Sequence, residues 1–131
     1  MKRRSAILLL GFVLGMLAPS CSHVPSARPG EIQHVVLVWL RDRGDAVQRQ
    51  KILAAAQEFR RIPGVEDLAV GECLPGNRPI IDSSYDVAIS MRFADAAAMQ
   101  RYIDHPDHRA AADTILKPLA REVRVYDFVL R

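Results

Sequence analysis

Seven residues, Tyr102-Ile103-Asp104-His105-Pro106-Asp107-His108, set a phenol and two imidazoles around a helix break inside an otherwise apolar-patterned segment. Proline fixes φ and disfavours helical geometry at the residue before it. The spacing therefore predicts one helix ending near Asp104 or His105 and another beginning with Pro106. His108 then falls in the first turn of the second helix, where the positive end of the helix dipole disfavours imidazolium and favours a neutral ring near pH 7. A neutral imidazole that can accept a proton is what a general base requires. His105, at the break itself, is expected to cap or pack. Each candidate also has a plainer use: Tyr102 as a core residue with its hydroxyl satisfied, and His108 as a buried ring satisfied by ordinary hydrogen bonds.

The elements that must position these groups follow from hydrophobic periodicity. Residues 32–40 form a β-branched, apolar run, with Ile32, His34, Val36, Val38 and Leu40 on one face and Val35, Leu37 and Trp39 on the other, both faces expected to be buried. Asp45 can cap a helix in which Ile52, Ala55, Ala56 and Phe59 recur at helical spacing until Pro63-Gly64 stops it. Residues 65–73 read as a second strand. After the loop Pro75-Gly76-Asn77-Arg78-Pro79, the alternation of Tyr85, Val87, Ile89, Met91 and Phe93 reads as a third. Asp95 caps a helix whose Ala98, Met99 and Tyr102 share a face, which turns the phenol toward the sheet. Beyond the break, His108, Ala111, Ala112, Ile115 and Leu119 keep the helical period, so His108 faces inward. Residues 123–130 alternate as a last strand, apolar on both faces. The predicted order is β-α-β-β-α-β, an α+β, ferredoxin-like arrangement with a four-stranded antiparallel sheet and helices on one face.

Two helices cover only one face of such a sheet, yet the first and last strands are apolar on both. A homodimer is expected, closing two sheets face to face around Leu37, Trp39, Tyr126 and Phe128.

The start of the 131-residue chain reads differently: Lys2-Arg3-Arg4 precede an apolar run from Ile7 to Leu17, then Ala18-Pro19-Ser20-Cys21. Residues 1–20 read as an export signal, too short in its apolar part to span a bilayer, which takes about 20 residues. The small residue before Cys21 resembles the lipobox of bacterial lipoproteins, which implies cleavage before Cys21, a diacylglycerol on its thiol and a membrane-tethered domain in the cell envelope. Ala18 departs from the Leu or Val more usual there, so plain secretion with cleavage after Ser20 stays open. Ser22 in place of Asp favours the outer membrane by the same resemblance. Residues 21–30, with Pro25, Pro29 and Gly30, read as a flexible tether, and residues 31–131 as one domain of a size that supports a single core.

The chain carries 18 Lys and Arg against 15 Asp and Glu, and loss of Lys2, Arg3 and Arg4 with the signal leaves fifteen of each. A neutral domain without a basic stripe argues against nucleic acid as a partner. Apart from Cys21, Cys73 is the only cysteine, so an intrachain disulfide is unexpected if Cys21 is lipidated, and packing is the default role for Cys73. His34, His105 and His108 lack a third-ligand pattern, so no metal is expected. No phosphate loop, nucleophile elbow or CxxC pair occurs, which excludes the commonest routes to nucleotide binding, acyl-serine hydrolysis and thiol redox work. Asp127, in a terminal strand, is expected to bond backbone or a partner chain.

These residues resemble the stress-responsive A/B barrel, or Dabb, domains of the dimeric α/β-barrel superfamily. The resemblance spans most of residues 31–130. It rests on His34-Val35-Val36-Leu37, Ile62-Pro63-Gly64-Val65, Gly71, Phe93, Tyr102, His105-Pro106-Asp107-His108, Pro118 and Val125-Tyr126-Asp127-Phe128. It implies a dimeric barrel without an organic cofactor. One plant branch holds a polyketide cyclase that performs an aldol condensation; its catalytic Tyr and His fall on Tyr102 and His108, and a pocket histidine on His34. The resemblance therefore implies proton abstraction by His108, with Tyr102 steadying an enolate, in a small apolar pocket under the helices lined by His34, Val36, Val38, Ile89, Tyr102 and His108 and suited to a small hydrophobic carbonyl or phenolic ligand. Ala55 stands where that enzyme carries a bulky aromatic, a departure in the pocket lining that leaves the substrate unassigned. The competing reading is a non-catalytic dimeric stress-response or envelope lipoprotein.

Overall fold

The computed structural model describes residues 27–131; the expected signal peptide, Cys21 and most of the tether lie outside the described residues. Strand β1 (Ile32–Leu40) is followed by α1 (Ala46–Glu58), a 3₁₀ turn (Phe59–Arg61), β2 (Glu66–Glu72), β3 (Val87–Phe93) and α2 (Ala96–Asp104). The chain then runs through α3 (Pro106–Ala111), a π-helical turn (Ala112–Leu116), α4 (Lys117–Leu119) and β4 (Ala120–Val129). The sheet order is β2-β3-β1-β4, antiparallel throughout, with β2 and β4 as free edges. This is the ferredoxin-like α+β fold, with helices on one face.

Local chemistry sets the boundaries. The Asp45 carboxylate accepts the Gln48 amide at 2.8 Å and Asp95 accepts that of Ala98 at 2.7 Å, capping α1 and α2 as their positions predict. His105 caps α3 by accepting the Asp107 amide at Nδ1, and Pro106 follows inside the first turn. Gly64 turns the chain toward β2 at φ +90°, a conformation that disfavours any side chain. Buried Asp86 accepts the amides of Leu40 and Gly44, both at 2.9 Å, and so fixes the link from β1 to α1. At the other end of β3 Arg92 pairs with Glu31 at 2.9 Å and also with Asp67, tying β3 to the start of β1 and to the bulge in β2.

The core lies between the sheet and the helices, where Val38, Leu40, Val87, Met91 and Phe93 are fully enclosed with Ile52, Leu53, Ala56 and Tyr102. Full burial of each such side chain contributes roughly 1.5–3 kcal/mol. The second face, expected to be covered by a partner copy, is only partly covered in this single chain. Val35 and Leu37 are only half-buried, while β4 exposes Val123, Val125 and Val129 on the helix side and Tyr126 and Phe128 on the other. Strand β4 also begins at Ala120, earlier than its alternation predicts, because Ala120 pairs with Leu40 across a register shift at Trp39/Leu40.

Candidate active site

Tyr102 sits on the buried face of α2, 2 % exposed, its ring packed between Phe93 (centroids 5.1 Å apart), Phe59 (5.7 Å) and His108 (4.5 Å). The hydroxyl has no hydrogen-bond partner among the described residues, and burial alone raises its pKa well above the ordinary phenol value. Tyr102 is therefore a neutral phenol at physiological pH. It can donate a hydrogen bond, and it will not serve as a base.

His108 projects from the first turns of α3 and its Nδ1 lies 3.0 Å from the Ile103 carbonyl oxygen. A carbonyl only accepts, so Nδ1 carries the hydrogen and the lone pair belongs to Nε2, which no described protein group engages. The pKa of His108 is lowered from 6.5, as expected, but the main cause is desolvation by burial. The Ile103 contact works the other way, and His34, Arg109 and His105 add smaller lowering contributions. The expectation from the helix dipole thus has the right direction, whereas the cause that dominates is the apolar wall around the ring.

His34 stands on β1 directly opposite Asp127 on β4, and its Nδ1–H donates to the Asp127 carboxylate at 2.5 Å. Asp127 was expected to bond backbone or a partner chain. Instead the β1–β4 register aims both side chains to the helix side, where the carboxylate fixes the imidazole's orientation. The His34 ring lies 6.0 Å from that of Tyr102, edge-on.

These groups converge on one cavity of about 320 Å³. Five of the six side chains expected to line it do so: His34, Val36, Ile89, Tyr102 and His108. Val38 does not; at 0 % exposure it is sealed into the core two residues further along β1, where no free space remains above it. Sequence reasoning missed Phe59, Ile103, Ile115, Val123, Val125 and Asp127 as lining residues. The signal for Asp127 was available: an acid on a strand whose neighbours in the alternation, Val125 and Val129, are apolar. His105 stays at the helix break as a cap. Cys73 is a half-buried free thiol. Among the described residues no group of three or more His, Cys, Asp or Glu could hold a metal ion.

The arrangement offers one unprotonated imidazole nitrogen, one neutral phenol and one carboxylate-held imidazole in an otherwise apolar chamber.

Comparison with known proteins places this geometry in a family. The solved structure of a Dabb protein with a ferredoxin-like fold from Mesorhizobium loti superposes with a TM-score of 0.65 at 32 % identity, over 78 % of this chain and 98 % of that one. A dimeric ferredoxin-like protein of unknown function from Thermobifida fusca gives 0.65 at 25 % identity, over 82 % and 99 %. A hydroxynitrile lyase from Passiflora edulis gives 0.66 at 17 % identity, over 79 % and 96 %, a likeness of fold alone. The stress-responsive A/B barrel domain family matches residues 32–130, and the chain belongs to it.

Proposed function

We propose that this chain is a homodimeric Dabb protein that binds a small hydrophobic carbonyl or phenolic ligand in the cavity and moves a proton on it without a cofactor, as a cyclase-like lyase or isomerase. The observation that carries the reading is the Nδ1 bond of His108 to the Ile103 carbonyl, because it leaves Nε2 as a free base beside the Tyr102 phenol. His108 Nε2 takes the acidic proton between two carbonyls, and the carbanion's charge moves onto oxygen. Tyr102 donates to that oxyanion. If a second carbonyl of the same molecule is in reach, the carbanion attacks it, a C–C bond forms, and the resulting alkoxide recovers the proton from His108. His34, held by Asp127, lines the wall of the same chamber. Val36 and Ile89 supply its apolar floor. Val38, one step further along β1 in the filled core, bounds that floor.

Homodimerisation is supported by the half-exposed Tyr126 and Phe128 on the uncovered sheet face and by the dimeric relative from Thermobifida fusca. Export with a lipid anchor at Cys21 is part of the same proposal and is supported by the composition of residues 1–21. An unmodified Cys21 in the membrane-fraction protein, read by mass spectrometry, would remove it.

The testing experiment is a thermal-shift screen against phenols, β-diketones and fatty-acid-like carbonyls, with His108→Ala alongside. Ligand at a hundred times its Kd stabilises by about 2.7 kcal/mol. A hit that His108→Ala loses supports the reading. Silence across the panel, with both proteins folded, points to the non-catalytic envelope role.

A further inference from the structure

We infer that the cavity is closed by the partner copy, whose loop between β2 and β3 covers the mouth beside β4. The inference rests on the homodimer proposed above. Val123 and Val125 line the cavity yet are 39 % and 50 % exposed, so the mouth lies along β4. Stacking two open sheet faces covers Tyr126 and Phe128, but successive side chains of a strand point to opposite faces. Val123 and Val125 would stay bare, and a partner segment must wrap round the β4 edge to cover them.

The loop that follows β2 has the right chemistry. Leu74 and Ile80, at 84 % and 87 %, are the most exposed large apolar side chains among the described residues. Symmetry brings them to the right place. A two-fold axis parallel to the strands sets β2 of one copy beside β4 of the other, antiparallel, and preserves height along the strands. Glu72, Val87, Val38 and Val123 form one row across the sheet. The partner's Glu72 therefore arrives level with Val123, and the partner's Leu74 lies just beyond it on the Arg121 side, so the loop meets the mouth at its Val123 end. Charge selects this axis over the perpendicular one. Strand β2 carries Glu66, Asp67 and Glu72 with no basic residue, whereas on β4 Arg121 and Arg124 balance Glu122 and Asp127. Pairing β2 with the neutral β4 keeps the acidic strands apart, whereas pairing β2 with itself opposes carboxylates.

The test uses the full chain with Cys21→Ser and Cys73→Ser, carrying Leu74→Cys, Val123→Cys or both, treated with a short bis-maleimide and read on a denaturing gel. Sedimentation of the same samples reports the oligomeric state. The expected result is a covalent dimer from the double variant and from a mixture of the two single variants, and none from either single variant alone. A sedimenting dimer that does not cross-link, or that cross-links equally through Val123→Cys alone, overturns the closure while leaving the homodimer standing. A monomer in sedimentation overturns both.

Discussion

Tyr102→Phe separates a working phenol from a packing one, because the two roles predict opposite pairs of results. The substitution deletes one oxygen and leaves the ring contacts with Phe59, Phe93 and His108 in place. A buried hydroxyl bonded within the protein contributes about 0.5–1.5 kcal/mol to stability. The Tyr102 hydroxyl has no such partner among the described residues and lines the cavity, so its removal should change stability by less than about 0.5 kcal/mol. For a domain near 100 residues that is a Tm shift below about 4 °C. The cost should appear in ligand handling instead. Loss of one hydrogen bond to a neutral ligand, near 1 kcal/mol, weakens Kd about fivefold. Loss of one to an enolate, at about 1.5–3 kcal/mol, slows turnover roughly ten- to hundredfold. Thermal unfolding together with calorimetric titration of a ligand from the screen measures both. A variant that loses more than 1 kcal/mol of stability and binds ligand as the parent does would refute the assignment of Tyr102 to the site.

The acid limb of any pH–rate profile should lie below 6.5, since burial lowers the pKa of His108 and the base works only when neutral; a limb above 7 would contradict this. The same shift makes stability pH-dependent: below 6.5 the unfolded chain binds the His108 proton before the folded one does, so stability should fall as pH drops through that region, and less so in His108→Gln. Asp127→Asn removes the charge from the 2.5 Å contact with His34 and should cost about 1 kcal/mol in denaturant unfolding, with a loss of activity that Asp127→Glu does not match in geometry. An unchanged midpoint and unchanged activity would mean that the pair is incidental.

How far the sequence could be read depended on whether a feature is local. Strand β1 comes out with the bounds that its β-branched run predicts, and the caps Asp45, Asp95 and His105 act within two or three residues of themselves. Tyr102 and His108 meet because a Pro break at a fixed offset folds one short helix back against the end of another, which is also local chemistry. The His34–Asp127 pair joins residues 93 apart and follows from the β1–β4 register, which alternation alone leaves undetermined. Val38 shows the limit of a face assignment: it shares a side with His34 and Val36 but lies where the core is filled. The π-helical turn at Ala112–Leu116 broke the single helix expected from residues 106–119. The apolar spacing of Ala112, Ile115 and Leu119 fits a helix with or without an extra residue per turn, so the pattern held no sign of it.

The central claim is that His108 presents an unprotonated Nε2 to a ligand in the cavity, and the most direct measurement is the long-range ¹H–¹⁵N NMR spectrum of its imidazole near pH 7, without and with a phenol or β-diketone from the screen. The expected spectrum shows the Nδ1–H tautomer in the free protein and a change at Nε2 when ligand is added. An Nε2–H tautomer, or an Nε2 resonance indifferent to every ligand that binds, would contradict it.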